Sequence, residues 1–253
     1  DAFKVMFNGD TTVSGSVTAT EFIGDGSQLT GLPTGGDSPF SPNDTDSSGI
    51  QSATNTASGS FSTAMGYTTT ASGYASTAMG ENTLASGDGT TAMGYDTTAS
   101  GDFSTAMGRD TEASETFSTA MGGNTSASGY ASTAMGGSTT ASGETSTAMG
   151  EETEASGYAS TAMGGNTTAT GTYSTAMGYN TTASGLVSTA MGDGTTASGD
   201  GSTAMGDGTT ASDYGSTVIG QFNSSGSTVT NSATAFNTAN TAFVIGNGTG
   251  TGA

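Results

Sequence analysis

The 253-residue sequence contains no cysteine, histidine or tryptophan, and its only cationic residues are Lys4 and Arg109. The absence of cysteine and histidine removes disulfides, thiol nucleophiles and the commonest general base. Phosphate binding needs clustered Lys and Arg, so nucleic acid is excluded as a partner. No apolar run approaches the ~20 residues that cross a bilayer as a helix, so we expect no membrane insertion in this segment.

The residues that are abundant are small or acidic. The chain has 43 glycines and 22 Asp plus Glu, and its net charge is -20. Such a composition usually indicates disorder. Disordered chains, however, need no fixed spacing between residues, and here the spacing is strict.

The sequence repeats every 14 residues, and a methionine within Ala-Met-Gly marks each period. A second motif, mostly Ala-Ser-Gly, lies halfway between successive methionines, so alanine recurs every seven residues from 57 to 211. A fixed period of this length is typical of a solenoid. The repeated large residues are Met65, Met79, Met93, Met107, Met121, Met135, Met149, Met163, Met177, Met191 and Met205, with Ile219 in the twelfth place.

A coiled coil is excluded because each period contains glycines, and each mid-helix glycine costs roughly 1 kcal/mol relative to alanine. A β-strand, in which successive side chains alternate between two faces, fits the repeat better. In Ser62–Gly66 it places Ala64 and Gly66 on the inner face and Met65 on the outer face. In Thr69–Gly73 the alanine again lies inside. The sequence therefore predicts an all-β, parallel β-roll solenoid of about twelve 14-residue turns.

The outward methionines would form a long exposed apolar stripe, which soluble proteins rarely leave uncovered. Burying one methionine is worth roughly 1.5 to 3 kcal/mol. We therefore expect the methionines and Ile219 to be covered by another copy of the same chain.

The alternation of Ser-Thr-Ala-Met-Gly with Ala-Ser-Gly resembles the head repeats of trimeric autotransporter adhesins, and the resemblance covers residues 57–220. It implies a left-handed parallel β-roll in a homotrimeric bundle, with the larger residue of each motif, here the methionines and Ile219, facing the threefold axis as the trimer interface. Two departures are the residues Glu115 and Asp213, which replace the second-strand glycine and predict locally distorted turns.

The flanking segments differ from the repeats. Residues 1–32 read as short strands of an N-terminal connector, 33–56 as a linker or cap, 57–220 as the β-roll, and 221–253 as an interrupted final turn with a C-terminal cap. The flanks resemble segments of phage tail fibres and bacterial surface fibres. Ile219 and Ile245 are 26 residues apart instead of 14, which predicts a loop in the last turn.

Few residues suggest chemistry. Asp44, Asp46 and Ser48 match the first half of a Ca²⁺ loop, but Asn55 stands where the bidentate glutamate is needed, so an Asp-rich turn is the competing interpretation. Paired carboxylates are the only generic catalytic option. Hydroxyls are not activated nucleophiles without a base, and we expect the many serines and threonines to be solvated strand and turn groups. The sequence therefore predicts a protein that is not an enzyme, with Ca²⁺ as the one candidate cofactor.

Three functions remain compatible with these observations. The first is a structural or adhesive subunit of an extracellular or cell-surface fibre, which associates with itself as a homotrimer, joins head to tail and contacts a host surface or matrix. The second is the shaft of a phage tail fibre. The third is an ice-binding β-solenoid, suggested by the threonine ladders but disfavoured because Leu84, Glu112 and Glu154 interrupt the outer one.

Overall fold

A computed structural model describes residues 41–42, 50–51, 54–223, 232–235 and 239–247. Most of the described chain is a repeating coil with four parts: a five-residue strand, a first corner, a two-residue strand and a second corner. None of the described residues is helical, and accordingly no helix among them could cross a membrane.

The strands alternate in length along the chain. The short strands are β3 Thr56–Ala57, β5 Thr70–Ala71, β7 Leu84–Ala85, β9 Thr98–Ala99, β11 Glu112–Ala113, β13 Ser126–Ala127, β15 Thr140–Ala141, β17 Glu154–Ala155, β19 Thr168–Ala169, β21 Thr182–Ala183, β23 Thr196–Ala197 and β25 Thr210–Ala211. The long strands are β4 Thr63–Tyr67, β6 Thr77–Glu81, β8 Thr91–Tyr95, β10 Thr105–Arg109, β12 Thr119–Gly123, β14 Thr133–Gly137, β16 Thr147–Glu151, β18 Thr161–Gly165, β20 Thr175–Tyr179, β22 Thr189–Asp193, β24 Thr203–Asp207 and β26 Thr217–Gln221.

Each strand pairs in parallel with the equivalent strand of the next coil, in register and 14 residues away, as when Met107 pairs with Met121. The long strands form one sheet and the short strands form the other. Because equivalent residues of successive coils pair throughout, each position of the repeat forms a column along the solenoid. The predicted all-β parallel solenoid of about twelve 14-residue turns is confirmed.

The interior is thin and made of small side chains. The alanines of both strands are completely buried, and Val218 replaces one of them in the last regular coil. Two hydroxyl columns share this interior: the residue before each long strand, such as Ser146, and the residue before each short strand, such as Thr139. The expectation that the hydroxyls are solvated is wrong for these two columns, because the period of two turns both of them inward with the alanines.

Gly66 does not follow the inner-face prediction. It is exposed, and its φ of 131° leaves the β region, as do the equivalent glycines of the later coils. A positive φ breaks the alternation of the strand and starts the first corner. The second-strand glycine, such as Gly73, is buried as predicted.

The two replacements in the second-strand glycine column do not disturb the coil. At Glu115 the Ser118 N–H donates to the Glu115 carbonyl at 3.1 Å, as Ser132 does to Gly129. Asp213 is buried, and its Oδ2 accepts the Thr241 N–H at 2.8 Å. Asp213 therefore ties the returning chain to the last short-strand turn, so the predicted distortion is replaced by a specific contact.

Both corners place non-glycine residues in the left-handed region. At the second corner Thr145 has a φ of 55°, where Gly89, Gly201 and Gly215 occupy the same place in other coils. A β-branched residue is strained there.

We expect Thr145→Gly to stabilise the fold by about 1 kcal/mol, because it removes this strain while keeping the N–H bond to the Tyr130 carbonyl. Thr140→Gly, in a short strand, should destabilise the fold by a similar amount. Denaturant unfolding of both variants measures the difference. Destabilisation by Thr145→Gly would show that the corner is not strained.

Asparagine side chains bond to the backbone near both ends of the repeat region. Asn55 Oδ1 accepts the Thr69 N–H at 3.0 Å, and its Nδ2 donates to the Gly66 carbonyl at 2.9 Å. At the other end Asn223 accepts the Thr210 N–H at 2.7 Å and donates to the Thr210 carbonyl at 3.0 Å. Both asparagines stand in the place of the buried threonine column, twelve periods apart.

The long-strand sheet is extended at both ends. At the N-terminal end β1 Ser41–Pro42 pairs antiparallel with β2 Ile50–Gln51, and β2 pairs with β4. After the predicted interruption, β27 Phe243–Asn247 pairs with β26, so that Ile245 lies in register with Ile219. The predicted interruption lies between these two strands, and the predicted connector at 1–32 lies outside the described residues.

Candidate assembly face

The outer side of the long-strand sheet carries a column of threonine and a column of methionine. We call this surface the Met face; it consists of the methionines from Met65 to Met205, continued by Ile219, and of the threonines two residues before them. The methionines are half-buried in the single chain, so they are less exposed than the sequence suggested. Each methionine stacks in register on the methionine of the next coil, which covers part of its side chain.

Beyond the C-terminal ends of the long strands, the first corner is polar. Its side chains form hydrogen bonds from coil to coil, as when Asn166 Nδ2 donates to Asn180 Oδ1 at 3.0 Å and Asn124 Nδ2 donates to Ser138 Oγ at 3.3 Å. Asn82 makes the same kind of bond with Asp96. Asn and Asp tolerate the left-handed conformation of this corner better than other residues do.

Large apolar side chains line the second corner, before the N-terminal ends of the long strands. Their rings contact one another, with centroids 5.5 Å apart for Phe103 and Phe117 and 5.8 Å apart for Phe117 and Tyr130. Their exposed fractions nevertheless range from 42% to 61%. We call them the aromatic ridge: Phe61, Tyr74, Phe103, Phe117, Tyr130, Tyr158, Tyr173, Leu186, Val187 and Tyr214.

Several aspartates of the second corner have a structural role that the sequence did not reveal. The carboxylates of Asp88, Asp102 and Asp200 each accept the backbone N–H of the equivalent residue one coil earlier, at 2.9 to 3.0 Å. At the first corner Asp193 and Asp207 are register partners in adjacent long strands, as their spacing predicts.

Acidic side chains around the first corner change the pKa of a neighbouring tyrosine. Asp96, and to a smaller extent Glu81, raise the pKa of Tyr95 above its ordinary value of 10.0. The only cation of the repeats, Arg109, lies 3.5 Å from Asp110 through its Nε, and 73% of its side chain is exposed. No group of three or more His, Cys, Asp or Glu able to hold a metal occurs among the described residues.

The predicted metal ligands Asp44, Asp46 and Ser48 fall in the segment 43–49, which lies outside the described residues. The Ca²⁺ loop therefore stays a prediction. The outer side of the short-strand sheet, the candidate ice-binding face, is interrupted by exposed Leu84, Glu112 and Glu154.

The family model of the YadA head domain repeat matches this chain in overlapping segments from residue 57 to residue 223. The chain belongs to this family. The resemblance to trimeric autotransporter adhesin heads is thereby confirmed, and the matched residues agree with the predicted repeat region 57–220. Among curated proteins, no match is found. A YadA head repeat is an adhesin-type, structural element, which agrees with the regular solenoid.

Proposed function

We propose that this chain is a subunit of an extracellular fibre whose work is mechanical and adhesive: a rigid homotrimeric β-roll rod on a cell surface. The Met face carries this proposal. It is a continuous column of half-buried apolar side chains on a flat sheet, and covering it with two further copies removes the remaining apolar surface from water.

A homotrimer suits the chain for a second reason. Each column of the Met face repeats from coil to coil, with Ile219 in place of methionine in the last regular coil, so a parallel copy finds an equivalent partner at every level. A closed threefold arrangement lets each chain use the same surface, which is typical of homo-oligomers. Family membership agrees with this arrangement.

The other functions are weaker. A phage tail-fibre shaft would be stabilised by the same interactions as a cell-surface fibre. The two would differ in the domains at the ends of the rod. An ice-binding surface requires a flat, uninterrupted array, which the outer side of the short-strand sheet lacks. Catalysis would lack the commonest general base and a thiol nucleophile, because the sequence has no histidine or cysteine, and paired carboxylates are the generic alternative.

Contact with a host surface or matrix would use the outward sides of the rod. Head-to-tail joining would use the flanking segments. At the C-terminal end the Asn223 side chain already occupies the edge of the last short strand, where it bonds the N–H and the carbonyl of Thr210. An edge closed in this way resists pairing with further strands.

Sedimentation of the full chain and electron microscopy of the same sample test the proposal. We expect a mass three times the 24.3 kDa of one chain, and rods about 58 Å long in the repeat region, since twelve coils stack at about 4.8 Å each. Long continuous fibres would show that the subunits join head to tail. A chain that stays monomeric at micromolar concentration would contradict the trimeric rod.

A further inference from the structure

Two glycines of the long-strand sheet have no explanation within the single chain. Gly123 and Gly137 end their strands, their φ angles are not in the left-handed region, and a Cβ added at either position would meet no atom within 4 Å. Glu81 and Glu151 occupy the same position in other coils. Glycine in a strand costs stability, so its presence at an open position suggests that something outside the chain approaches there.

The aromatic ridge has large side chains that the single chain leaves partly exposed. Phe117 and Tyr130 contact each other, but 51% and 46% of their surfaces remain exposed. They lie in the same coils as the two glycines, at the opposite end of the same long strands. In these two coils, the second corner therefore carries large side chains that remain partly exposed, and the C-terminal strand ends carry no side chain.

The proposed trimer brings these two surfaces together. When three parallel chains turn their Met faces to a threefold axis, their long strands run around that axis in the same sense. The C-terminal end of each long strand then approaches the N-terminal end of the long strand in the next chain. Residues of one coil stay at about one level, because a coil rises only about 4.8 Å over its whole length.

We infer that the aromatic ridge of each chain docks on the C-terminal strand ends of the next chain in the trimer, with Phe117 over Gly123 and Tyr130 over Gly137. This contact depends on the proposed homotrimer. It would extend the interface from the Met face to the corners on either side of the long strands. It makes the interface heterologous at the corners, because two different surfaces of the same chain meet.

Charge complementarity supports this assignment one coil earlier. Arg109 ends its strand, and at the same level the ridge carries Asp102 and Phe103. The guanidinium of Arg109 can therefore meet a carboxylate and an aromatic ring of the next chain, which suits arginine.

At two levels like charges would meet. Glu151 would face Glu144 of the next chain, and Asp207 would face Asp200. We therefore expect salt to strengthen those parts of the contact.

The absence of cysteine from the chain makes a covalent test simple. In the double variant Phe117→Cys with Gly123→Cys, the two thiols of one chain are separated by six residues of mostly extended strand, about 20 Å. A disulfide needs Cα atoms roughly 4.4 to 6.8 Å apart, so it cannot form within the chain. We expect mild oxidation to link each chain to the next and to give covalent trimers on a denaturing, non-reducing gel.

Two controls make the result specific. Each single variant should stay a single chain on that gel, and so should Phe117→Cys combined with Ser126→Cys, whose thiol lies on the short-strand sheet. If the protein sediments as a trimer without forming covalent trimers, the docking is wrong while the proposed function stands. If it sediments as a monomer, the trimeric rod and the docking both fail.

Discussion

Replacing Gly136 with alanine is expected to disrupt the solenoid, at a cost of roughly 4 kcal/mol or more. Gly136 has a φ of 122°, and an added Cβ would lie 2.0 Å from the carbonyl oxygen of Gly150 in the next coil. That oxygen belongs to the backbone, so no side chain can rotate away to make room. The clash can be relieved only if the two coils separate or the corner changes its conformation.

Gly137→Ala is the matched control, because the same methyl group is added one residue later, where it meets no atom within 4 Å of the same chain. We expect it to change the stability of the single chain by less than about 1 kcal/mol, so both variants are compared at a concentration at which the chains are monomeric. Equilibrium unfolding in denaturant, followed by circular dichroism, measures both variants. Equal stability of the two would mean that the coils do not stack as closely as the structure shows.

The disruption at Gly136 should also divide the rod. In a solenoid each coil contacts only its neighbours, so stability is a sum of local terms. A damaged coil in the middle therefore leaves intact coils on both sides. We expect two unfolding steps in place of one, with the first step confined to the damaged region.

The period and the alternation of small residues were sufficient to predict the coil. Once the glycines exclude a coiled coil, alanine every seven residues indicates two facing inner columns of a narrow roll, and Ala64 and Ala71 lie there. Gly66 was placed wrongly because a strict period of two assumes β conformation to the end of the strand. Its positive φ is a property of the corner, and a glycine alone does not reveal it.

The end caps were visible in the sequence but were not recognised. Asn55 and Asn223 bracket a column of threonines at the same phase of the repeat, and a change of residue at both ends of a column is a signal of capping. The aromatic ridge was missed for another reason. Its members occupy two adjacent positions of the repeat, so neither position is apolar in every coil. The corner brings side chains from both positions together, which only the structure reveals.

If the Met face is the trimer interface, as we propose, removing its central part should separate the chains. We expect the quadruple variant Met107→Ser, Met121→Ser, Met135→Ser and Met149→Ser to lose about 4 kcal/mol per chain. The methionines are half-buried already, so assembly buries the remaining part of each, worth roughly 1 kcal/mol. The serines fit the outward side of the sheet, and the single coil should therefore keep its fold.

The matched control places serine on the opposite sheet of the same coils, through Thr98→Ser, Glu112→Ser and Thr140→Ser. These residues lie on the outer side of the short strands, away from the proposed axis, and their replacement should leave assembly unchanged. Sedimentation across a dilution series, with thermal unfolding at each concentration, distinguishes the two variants. The Met-face variant should dissociate first and then unfold at a temperature that no longer depends on concentration. A Met-face variant that remains trimeric, with the stability of the unaltered chain, would show that the chains meet through another surface.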